Sequence, residues 1–378
     1  YVAPTCTKTG LTEGKHCSVC GEVLLKQETV AAKGHEIVID AYVAPTCTKT
    51  GLAEGKHCSV CGEVLLEQKI IAAKGHDMVN GVCRICGYNE NKLSYTLNSD
   101  KKSYCVSGIG TFTGTDLIIP SVYDNMPVTS IGNYAFYGCS QLKSIMLPYG
   151  VKSIGIETFY DCTSLISVTI PDSVTYIGDG AFYGCKSLAN ITIPISVKGV
   201  KGNPFSGLNG ELINKSPYFT YEDGVLYSNG KDKLIAFCRQ GATSYVIPDC
   251  VTSIGDSAFE GCTSLRSLTI ADSVTSIGDS AFSRCTSLRN LTIADSVTSI
   301  GECAFWECES LTNITIPDNV ESIGDEAFSG CTSLVHIAIP GSVTSIGFSA
   351  FCGCESLRRK TRAEIKRRFG NRVFDLYL

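Results

Sequence analysis

The sequence predicts a parallel β-solenoid preceded by an array of small metal-binding repeats, because two internal periods divide the chain. In the longer part, most repeats follow the pattern AFxxC-x2-Lxx[IL]x[IL] at a constant step, which we call period 23. A repeat this short cannot close a core alone and buries its apolar face only by stacking on its neighbours. The cysteines that mark these repeats are Cys139, Cys162, Cys185, Cys262, Cys285, Cys308, Cys331 and Cys354.

Each coil of the predicted solenoid contains two short extended segments and a tight turn. In the coil that begins at Leu265, the alternation of Leu268 and Ile270 indicates one short strand, and Val274 with Ile277 indicates a second. The segment before the next cysteine predicts a short helical or 3-10 turn. The residues expected in the core of this coil are Leu265, Leu268, Ile270, Val274, Ile277, Ala281, Phe282 and Cys285.

Residues 1–90 follow a different and longer period, which we call period 41. The segment YVAPTCTKTGLTEGKHCSVCGEVLLKQ begins at Tyr1 and returns almost unchanged at Tyr42, and a third, shortened copy ends in GVCRICG. The Cys-x2-Cys-Gly pattern is typical of a zinc knuckle, in which a tight turn presents two thiolates to one ion. The candidate metal ligands are Cys6, Cys17, Cys20, His35, Cys47, Cys58, Cys61, His76, Cys83 and Cys86.

The donor set of each complete repeat predicts a structural zinc ion. Three cysteines and one histidine close a tetrahedral site, whereas a catalytic zinc keeps one position for water or substrate. A unit of about 40 residues has little core of its own, so the ion would supply much of its folding free energy. Disulfide bonding is the alternative, but three cysteines per repeat is an odd number and the recurring histidine has no role in it.

The sequence leaves two groupings of these ligands open. In one, the Cys3His set of each repeat closes on itself, which leaves out Cys83 and Cys86. In the other, each knuckle joins the histidine that follows it and the first cysteine after that histidine. The second scheme groups Cys17, Cys20, His35 and Cys47 in one site and Cys58, Cys61, His76 and Cys83 in the next.

The cysteine column of the solenoid predicts packing rather than chemistry. Equivalent residues of adjacent coils lie within disulfide reach, but their Cβ vectors run parallel, whereas a disulfide needs them inclined together. Leu208 takes the same position one full period after Cys185, so a plain hydrophobic residue is accepted there. We expect these thiols to be buried apolar side chains.

The coils CTSLRSLTIADSVTSIGDSAF (262–282) and CESLTNITIPDNVESIGDEAF (308–328) resemble the BspA-type leucine-rich repeats of bacterial surface proteins. The resemblance covers about residues 93–378, and LSYTLNSDKKSYCVSGIGT resembles the opening cap of that family. It implies a right-handed leucine-rich-repeat solenoid, a cell-surface or secreted location, and adhesion to host or bacterial partners; it names no catalytic residue. The period-41 array resembles the small zinc-ribbon-like knuckle repeats found beside such solenoids in gut anaerobes.

The predicted domain order follows from these boundaries. It is a zinc-repeat array at 1–90, a solenoid cap at 91–127, period-23 repeats at 128–357 with an irregular insertion at about 195–247, and a capping helix at 358–378. The last segment carries 8 basic and 2 acidic side chains, and its apolar residues Ile365 and Phe369 recur at helical spacing before Gly370. Binding of nucleic acid or an anionic surface is the alternative role for this tail.

The insertion concentrates aromatic residues where the period fails. The distance from Cys185 to Cys262 is not a whole number of periods, and Asn229-Gly230 between two apolar runs indicates a hairpin. Aromatic residues in an irregular segment predict a partner-binding surface. The alternative, which the usual burial of aromatic rings favours, is that they pack beneath an irregular coil. The candidate residues are Tyr218, Phe219, Tyr221 and Tyr227.

Charge and motifs exclude several function classes. The segment 91–357 carries 15 basic and 25 acidic side chains, a poor surface for nucleic acid because such binding depends on neutralising phosphates. No run approaches the roughly 18 apolar residues of a membrane span. The sequence has no glycine-rich phosphate loop, HExxH motif or nucleophile elbow, and His336 is the only histidine outside the array, so we do not expect an enzyme.

The first hypothesis for function is a non-catalytic surface or secreted scaffold that presents the solenoid for protein or glycan adhesion. The second is that the zinc array is the recognition module and the solenoid is a spacer. The third is that the chain is an accessory region of a larger extracellular enzyme. The chain opens on Tyr1 inside a repeat, without an initiator Met or a leader, which is typical of a fragment or a processed form.

Overall fold

The computed structural model describes residues 1–79, 82–83, 85 and 93–375, and the chain divides into two compact units, Tyr1–Tyr88 and Asn89–Leu378. Short antiparallel strands form the first unit, and parallel ladders dominate the second. Every cysteine among the described residues is a free thiol. In the same part of the chain, no helix has the length and apolar character that crossing a membrane requires.

The first unit repeats one arrangement of strands in each copy of the period-41 repeat. Its strands are β1 (Gly10–Leu11), β2 (Lys15–His16), β3 (Val23–Leu25), β4 (Thr29–Val30), β5 (Ile37–Asp40), β6 (Gly51–Leu52), β7 (Gly55–Cys58), β8 (Val64–Leu66), β9 (Ile70–Ile71), β10 (Met78–Val79) and β11 (Val82–Cys83). β1 pairs with β4 and β2 with β3, and the second copy repeats this as β6 with β9 and β7 with β8. β5 joins the two copies, because it pairs with β7.

The first unit has almost no apolar core among its described residues. Its large apolar side chains are largely exposed, including Val19 at 93% and Ile70 at 71%. Burial of apolar area therefore cannot supply the free energy that orders these strands. Apart from proline and glycine, the buried residues described in this unit are all cysteines: Cys6, Cys47, Cys58 and Cys83.

The first half of the second unit begins with an antiparallel pair that leads into two parallel ladders. Its strands are β12 (Ser94–Leu97), β13 (Tyr104–Gly108), β14 (Asp116–Ile118), β15 (Val122–Tyr123), β16 (Met126–Ile131), β17 (Ser144–Met146), β18 (Ser153–Ile154), β19 (Ser167–Thr169), β20 (Tyr176–Ile177), β21 (Asn190–Ile193), β22 (Gly199–Val200) and β23 (Glu211–Asn214). One ladder runs β13-β16-β18-β20-β22. Partners in the regular part of the ladders are one period apart, as Ile154 is from Ile177, whereas Asp116 of β14 pairs with Ser144 of β17, 28 residues away.

A three-stranded antiparallel meander separates the two halves of the solenoid. It consists of β24 (Phe219–Glu222), β25 (Val225–Ser228) and β26 (Lys233–Phe237), and the predicted hairpin around Asn229-Gly230 is confirmed by the β25–β26 pairing. Successive side chains of a strand point to opposite faces. Val225 accordingly packs in the apolar core of the second half and Leu226 in that of the first half. The insertion thus forms an apolar partition that continues both cores.

In the second half the parallel ladders begin again at β26, which pairs with β28. Its elements are β27 (Ser244–Val246), β28 (Ser253–Ile254), β29 (Ser267–Thr269), β30 (Ser276–Ile277), β31 (Asn290–Thr292), β32 (Ser299–Ile300), β33 (Asn313–Thr315), β34 (Ser322–Ile323), β35 (His336–Ala338), β36 (Ser345–Ile346), helix α1 (Arg359–Phe369) and a 3-10 turn (Asn371–Val373). Ile365 of α1 is buried in the core of the last coils. The Arg368 guanidinium donates to the carbonyls of Ile339 at 2.6 Å and Pro340 at 2.7 Å, so this helix covers the end of the stack.

A stack of phenylalanine rings fills the core of each half of the solenoid. Neighbouring rings within each half have centroids 4.8 to 6.2 Å apart. The eight core residues expected in the coil from Leu265 are all buried, which confirms the periodicity argument. Coils approach so closely that a Cβ at Gly278 would lie 2.7 Å from the backbone nitrogen of Asp256. The stacked rings are Phe136, Phe159, Phe182 and Phe205, then Phe237, Phe259, Phe282, Phe305, Phe328 and Phe351.

The solenoid cysteines pack in the core and also make a repeated hydrogen bond. The thiol of Cys285 donates to the carbonyl of Phe259 at 3.1 Å, and five other thiols of the column repeat this bond at the same distance. Burial raises the pKa of the Cys162 thiol to about 12. These thiols remain protonated at neutral pH, which suits a donor to a buried carbonyl.

Candidate metal centres and recognition surface

The structure brings four predicted ligands of the array into one cluster. Cys6, His35, Cys58 and Cys61 each offer a ligand atom, and these atoms lie within 4.8 Å of one another. The Cys6 and Cys58 sulfurs are 3.7 Å apart, and the Cys61 sulfur lies 3.5 Å from Nδ1 of His35. This spacing suits donors that surround one ion.

Three local features position these side chains. The knuckle is a tight turn in which the N–H of Gly62 donates to the carbonyl of Cys58 at 2.9 Å, with Gly62 at φ +73°. The pairing of β5 with β7 sets Ile37 opposite Cys58 and so carries the preceding His35 to the knuckle. The N–H of Gly34 donates to the carbonyl of Cys6 at 3.1 Å, which holds the other two ligands together.

The electrostatics of this cluster favour a thiolate at Cys58, whereas burial raises the pKa of Cys6 to about 11. Burial opposes the ionisation of Cys58, but hydrogen bonds from the backbone N–H groups of Cys61 and Val60 and from His35 lower its pKa to about 6. The second ring nitrogen of His35 lies 3.5 Å from a carboxylate oxygen of Glu63. Such an outer partner fixes the ring orientation of a histidine ligand.

A second cluster repeats the arrangement one period later. Cys47, His76 and Cys83 have ligand atoms within 4.8 Å of one another, and the Cys47 and Cys83 sulfurs are 3.8 Å apart. The remaining predicted ligand, Cys86, lies outside the described residues. In the sequence, Cys86 follows Cys83 with the same Cys-x2-Cys spacing by which Cys61 follows Cys58.

Both groupings expected from the sequence differ from the one that the structure contains. Each cluster joins the cysteine and histidine of one repeat to the knuckle of the following repeat. A repeat does not close on itself, because β5 leaves its own copy to pair with β7 of the next. Among the described residues, no Cys, His, Asp or Glu joins Cys17 and Cys20 in a cluster of three or more.

The donor set of the first cluster fits zinc. Three sulfurs and one imidazole nitrogen are borderline-soft ligands in the number that a closed tetrahedral site needs. With four protein ligands, no position remains for water or substrate, so a bound ion would act structurally.

The insertion aromatics lie in two different environments. Phe219 and Tyr227 are 8% and 5% exposed, and the Tyr227 hydroxyl lies 2.7 Å from that of Tyr245. These two rings therefore do not form the surface expected from the sequence. Tyr218 is 46% exposed, and Tyr221 packs partly buried against the core of the first half.

An aromatic surface that the sequence reasoning missed lies on the turns of the solenoid. The rings of Tyr137, Tyr160 and Tyr183 stack in parallel, with centroids 4.9 and 4.5 Å apart. Arg284 donates to the Tyr160 hydroxyl at 2.9 Å, and its guanidinium carbon lies 4.9 Å from the centroid of Trp306. We call these five residues the turn-face patch. The available signal was a tyrosine that follows the core phenylalanine in three successive repeats.

The insertion brings together the two parts of this patch. Coils on either side of the insertion meet directly at their turns, where Asn203 donates to the carbonyl of Ala258 at 3.1 Å and the Ser206 hydroxyl donates to that of Glu260. Arg284 of the second half can therefore reach Tyr160 of the first half, although the two lie far apart in the sequence.

Carboxylates lie close beside the patch. Burial, with the nearby charge of Asp179, raises the pKa of Glu260 to about 7. Asp179 itself accepts hydrogen bonds from Ser257 at 3.2 Å and from the N–H of Asn203 at 3.0 Å. Arg284 also lies 3.5 Å from Glu307, so its guanidinium is held in place from several sides.

Comparison with known proteins identifies the class of this chain. The model of the BspA type leucine rich repeat region matches residues 110–221 and 234–358. The chain therefore belongs to the BspA-type leucine-rich-repeat family, and its second unit is a leucine-rich-repeat solenoid. No curated protein matches the chain.

Three solved structures are among those similar to this chain. One is a leucine rich cell surface protein from Faecalibacterium prausnitzii A2-165, with 26% identity over 77% of this chain and 98% of that one and a TM-score of 0.49. Another is the pneumococcal vaccine antigen PcpA, with 19% identity over 76% and 98% and a TM-score of 0.53. A leucine-rich repeat protein from Bacteroides ovatus ATCC 8483 has 26% identity over 76% and 98%, with a TM-score of 0.31. PcpA supports the fold alone.

Proposed function

We propose that the chain is a non-catalytic scaffold at the cell surface or secreted, which binds a protein or glycan partner through its solenoid. Family membership supports a repeat scaffold. The observation that carries the proposal is the turn-face patch, because partner-binding sites are enriched in tyrosine, tryptophan and arginine. Tyr137 is 51% exposed at one end of the patch, so ring area remains available to a partner.

The patch is preorganised, which favours binding. Stacking fixes Tyr160 between its two neighbours, and Arg284 is held by Tyr160, Trp306 and Glu307. Side chains that are already ordered lose less entropy when a partner binds. Tyrosine hydroxyls and a guanidinium also offer the hydrogen bonds that a glycan hydroxyl or a peptide carbonyl requires.

We also propose that the array binds structural zinc. The convergence of one histidine and three cysteines in a unit without an apolar core supports this role. The ion would then order the repeats of the array and hold consecutive copies together.

Binding to a glycan array and to an array of extracellular-matrix proteins tests the adhesive role. Labelled full-length chain is compared with Tyr137→Ala and Arg284→Ala variants. A partner that uses the patch should bind either variant about 10- to 30-fold more weakly, the range that separates hot-spot residues from their surroundings.

The matched control is Tyr149→Ala, since Tyr149 is 72% exposed between β17 and β18, outside the patch. Its variant should bind normally. Circular dichroism confirms that each variant is folded. The proposal would be contradicted if Tyr137→Ala and Arg284→Ala bound the partner as tightly as Tyr149→Ala does. It would also be contradicted if the full-length chain bound no glycan or protein on either array.

A further inference from the structure

The two complete knuckles of the array have the same sequence and the same local geometry. HCSVCGEVLL occupies residues 16–25 and returns at 57–66. The N–H of Cys17 donates to the carbonyl of Glu22 at 2.8 Å, and that of Cys58 donates to Glu63 at 2.9 Å. The N–H of Gly21 donates to the carbonyl of Cys17 at 2.9 Å, as that of Gly62 does to the carbonyl of Cys58. The first knuckle therefore has the same turn that presents Cys58 and Cys61 to the first cluster.

The surroundings of the two knuckles differ. Cys58 is completely buried, whereas the equivalent Cys17 is only partly buried. Gly55 is buried and Gly14 is exposed, and His57 is partly buried whereas His16 is exposed. The second knuckle has a cover that the first lacks in the described part of the chain.

That cover consists of the preceding repeat. It supplies Cys6 and His35 to the metal cluster and adds β5 to the β7–β8 hairpin. It also makes two hydrogen bonds at its edge, from the N–H of Ser59 to the carbonyl of Glu36 at 2.9 Å and between His57 and Asp40 at 2.9 Å. The preceding repeat thus supplies two ligands, a strand and a carboxylate within hydrogen-bond distance of His57.

At the first knuckle, the described residues include no equivalent of these groups. β2 pairs only with β3 there, so the strand edge that corresponds to the β5-binding edge of β7 is unpaired. Cys17 and Cys20 correspond in sequence to Cys58 and Cys61, and His16 corresponds to His57.

We propose that Cys17, Cys20 and the free edge of β2 form a docking site for a further unit of the same period-41 repeat, which completes a shared metal site. The incoming unit supplies a cysteine and a histidine equivalent to Cys6 and His35, and its following strand extends the β2–β3 hairpin. Each cysteine releases its proton to solvent as its sulfur binds the ion. This inference rests on the proposed zinc-binding role of the array.

The recognition is specific because metal and strand act together. Two thiolates alone would accept any pair of soft ligands. The strand edge adds main-chain hydrogen bonds in a fixed register, as in other cases of strand addition. A carboxylate at the position of Asp40 would pair with His16 as Asp40 pairs with His57. A repeat unit carries all three features in the correct order.

Zinc-dependent capture of a repeat peptide by the full chain tests the proposal. The probe is a synthetic peptide of residues 1–43 with Cys17→Ser and Cys20→Ser, so that it can offer only Cys6, His35 and the β5 strand. We expect one peptide per chain and a rise from two to three bound zinc ions, measured by calorimetry and metal analysis. Omission of zinc should weaken binding at least about 100-fold, since two of the four ligands of the ion come from each side.

The matched control is the full chain with Cys17→Ser and Cys20→Ser. It should retain two zinc ions and lose the peptide, and a peptide with Cys6→Ser and His35→Ala should bind neither chain. Unchanged capture by the control chain, or no zinc-dependent capture by the original chain, overturns the inference. A zinc-dependent dimer of the full chain that Cys17→Ser abolishes also overturns it, because two knuckles would then complete each other.

The same measurements separate this inference from the role on which it rests. A chain that binds two zinc ions but no peptide contradicts only the docking site. A chain that binds no zinc contradicts the structural-zinc proposal as well.

Discussion

Cysteine recurs at a fixed step in both the array and the solenoid, but Cys58 of the array and Cys162 of the solenoid are in opposite physical states. In the array, Cys58 is buried, but turn N–H groups and His35 lower its pKa to about 6. In the solenoid, burial raises the pKa of Cys162 to about 12, and its thiol donates to the carbonyl of Phe136. The hydrogen-bond donors around Cys58, and not its spacing, therefore distinguish it from the core thiols of the solenoid.

The two regions also differ in how they stabilise a repeat that is too small to form a core of its own. A solenoid coil buries a phenylalanine ring against the rings of its neighbours. A repeat of the array buries little except cysteine among its described residues. Stacking of apolar surface stabilises the first, and shared coordination of an ion would stabilise the second.

Removal of zinc is the strongest test of this contrast. We expect chelation to abolish the ordered structure of the array, because each site would contribute on the order of 10 kcal/mol to folding. The solenoid should be unaffected. Hydrogen exchange measured by mass spectrometry should show rapid exchange in residues 1–79 and continued protection in residues 93–375. Array amides that stay protected after complete zinc removal would show that the ion is not structural.

Truncation of one core ring should produce the reverse pattern. Phe282→Ala removes a fully buried side chain from the stack, and the lost packing should lower the free energy of unfolding of the solenoid by about 3 to 5 kcal/mol. Denaturant unfolding measures this change, and the bound zinc should stay constant. Phe282→Leu is the control, with a smaller loss. A change of less than about 1 kcal/mol for Phe282→Ala would mean that the stack does not hold the coils together.

The free energy of unfolding should depend on pH in opposite directions for Cys162 of the solenoid and Cys58 of the array. This effect should be smaller than that of Phe282→Ala. Between pH 9 and 12 the unfolded chain has lost thiol protons that folded Cys162 retains, so the free energy of unfolding of the solenoid should fall as the pH rises. Cys58 has the opposite shift, so its contribution should be lost as the pH falls from 9 through about 6. Denaturant unfolding across both ranges measures these slopes.

Cys162→Ala is the control for the alkaline range. It removes one of the titrating thiols and should reduce the slope above pH 9, while zinc binding in the array stays the same. An alkaline slope that Cys162→Ala leaves unchanged would assign the effect to other groups, such as the buried tyrosines.

Periodicity along the chain was enough to predict the repeats, the core residues of the coil from Leu265 and the residue types of the metal clusters, and the Asn229-Gly230 pair predicted the hairpin of the insertion. These features depend on short-range spacing, because a residue such as Ile277 meets its equivalents in the adjacent coils whatever the rest of the chain does. His35 and Cys58 were likewise predictable as candidate ligands, because their spacing recurs.

Which ligands meet, and which aromatic residues form a surface, depends instead on the pairing of distant segments. His35 joins Cys58 because β5 pairs with β7 of the next copy, and no period specifies that partner. Arg284 reaches Tyr160 because the insertion occupies one side of the stack while the turns on either side of it stay in contact. Spacing along the chain cannot specify either contact, because both are set by how the strands pair in three dimensions.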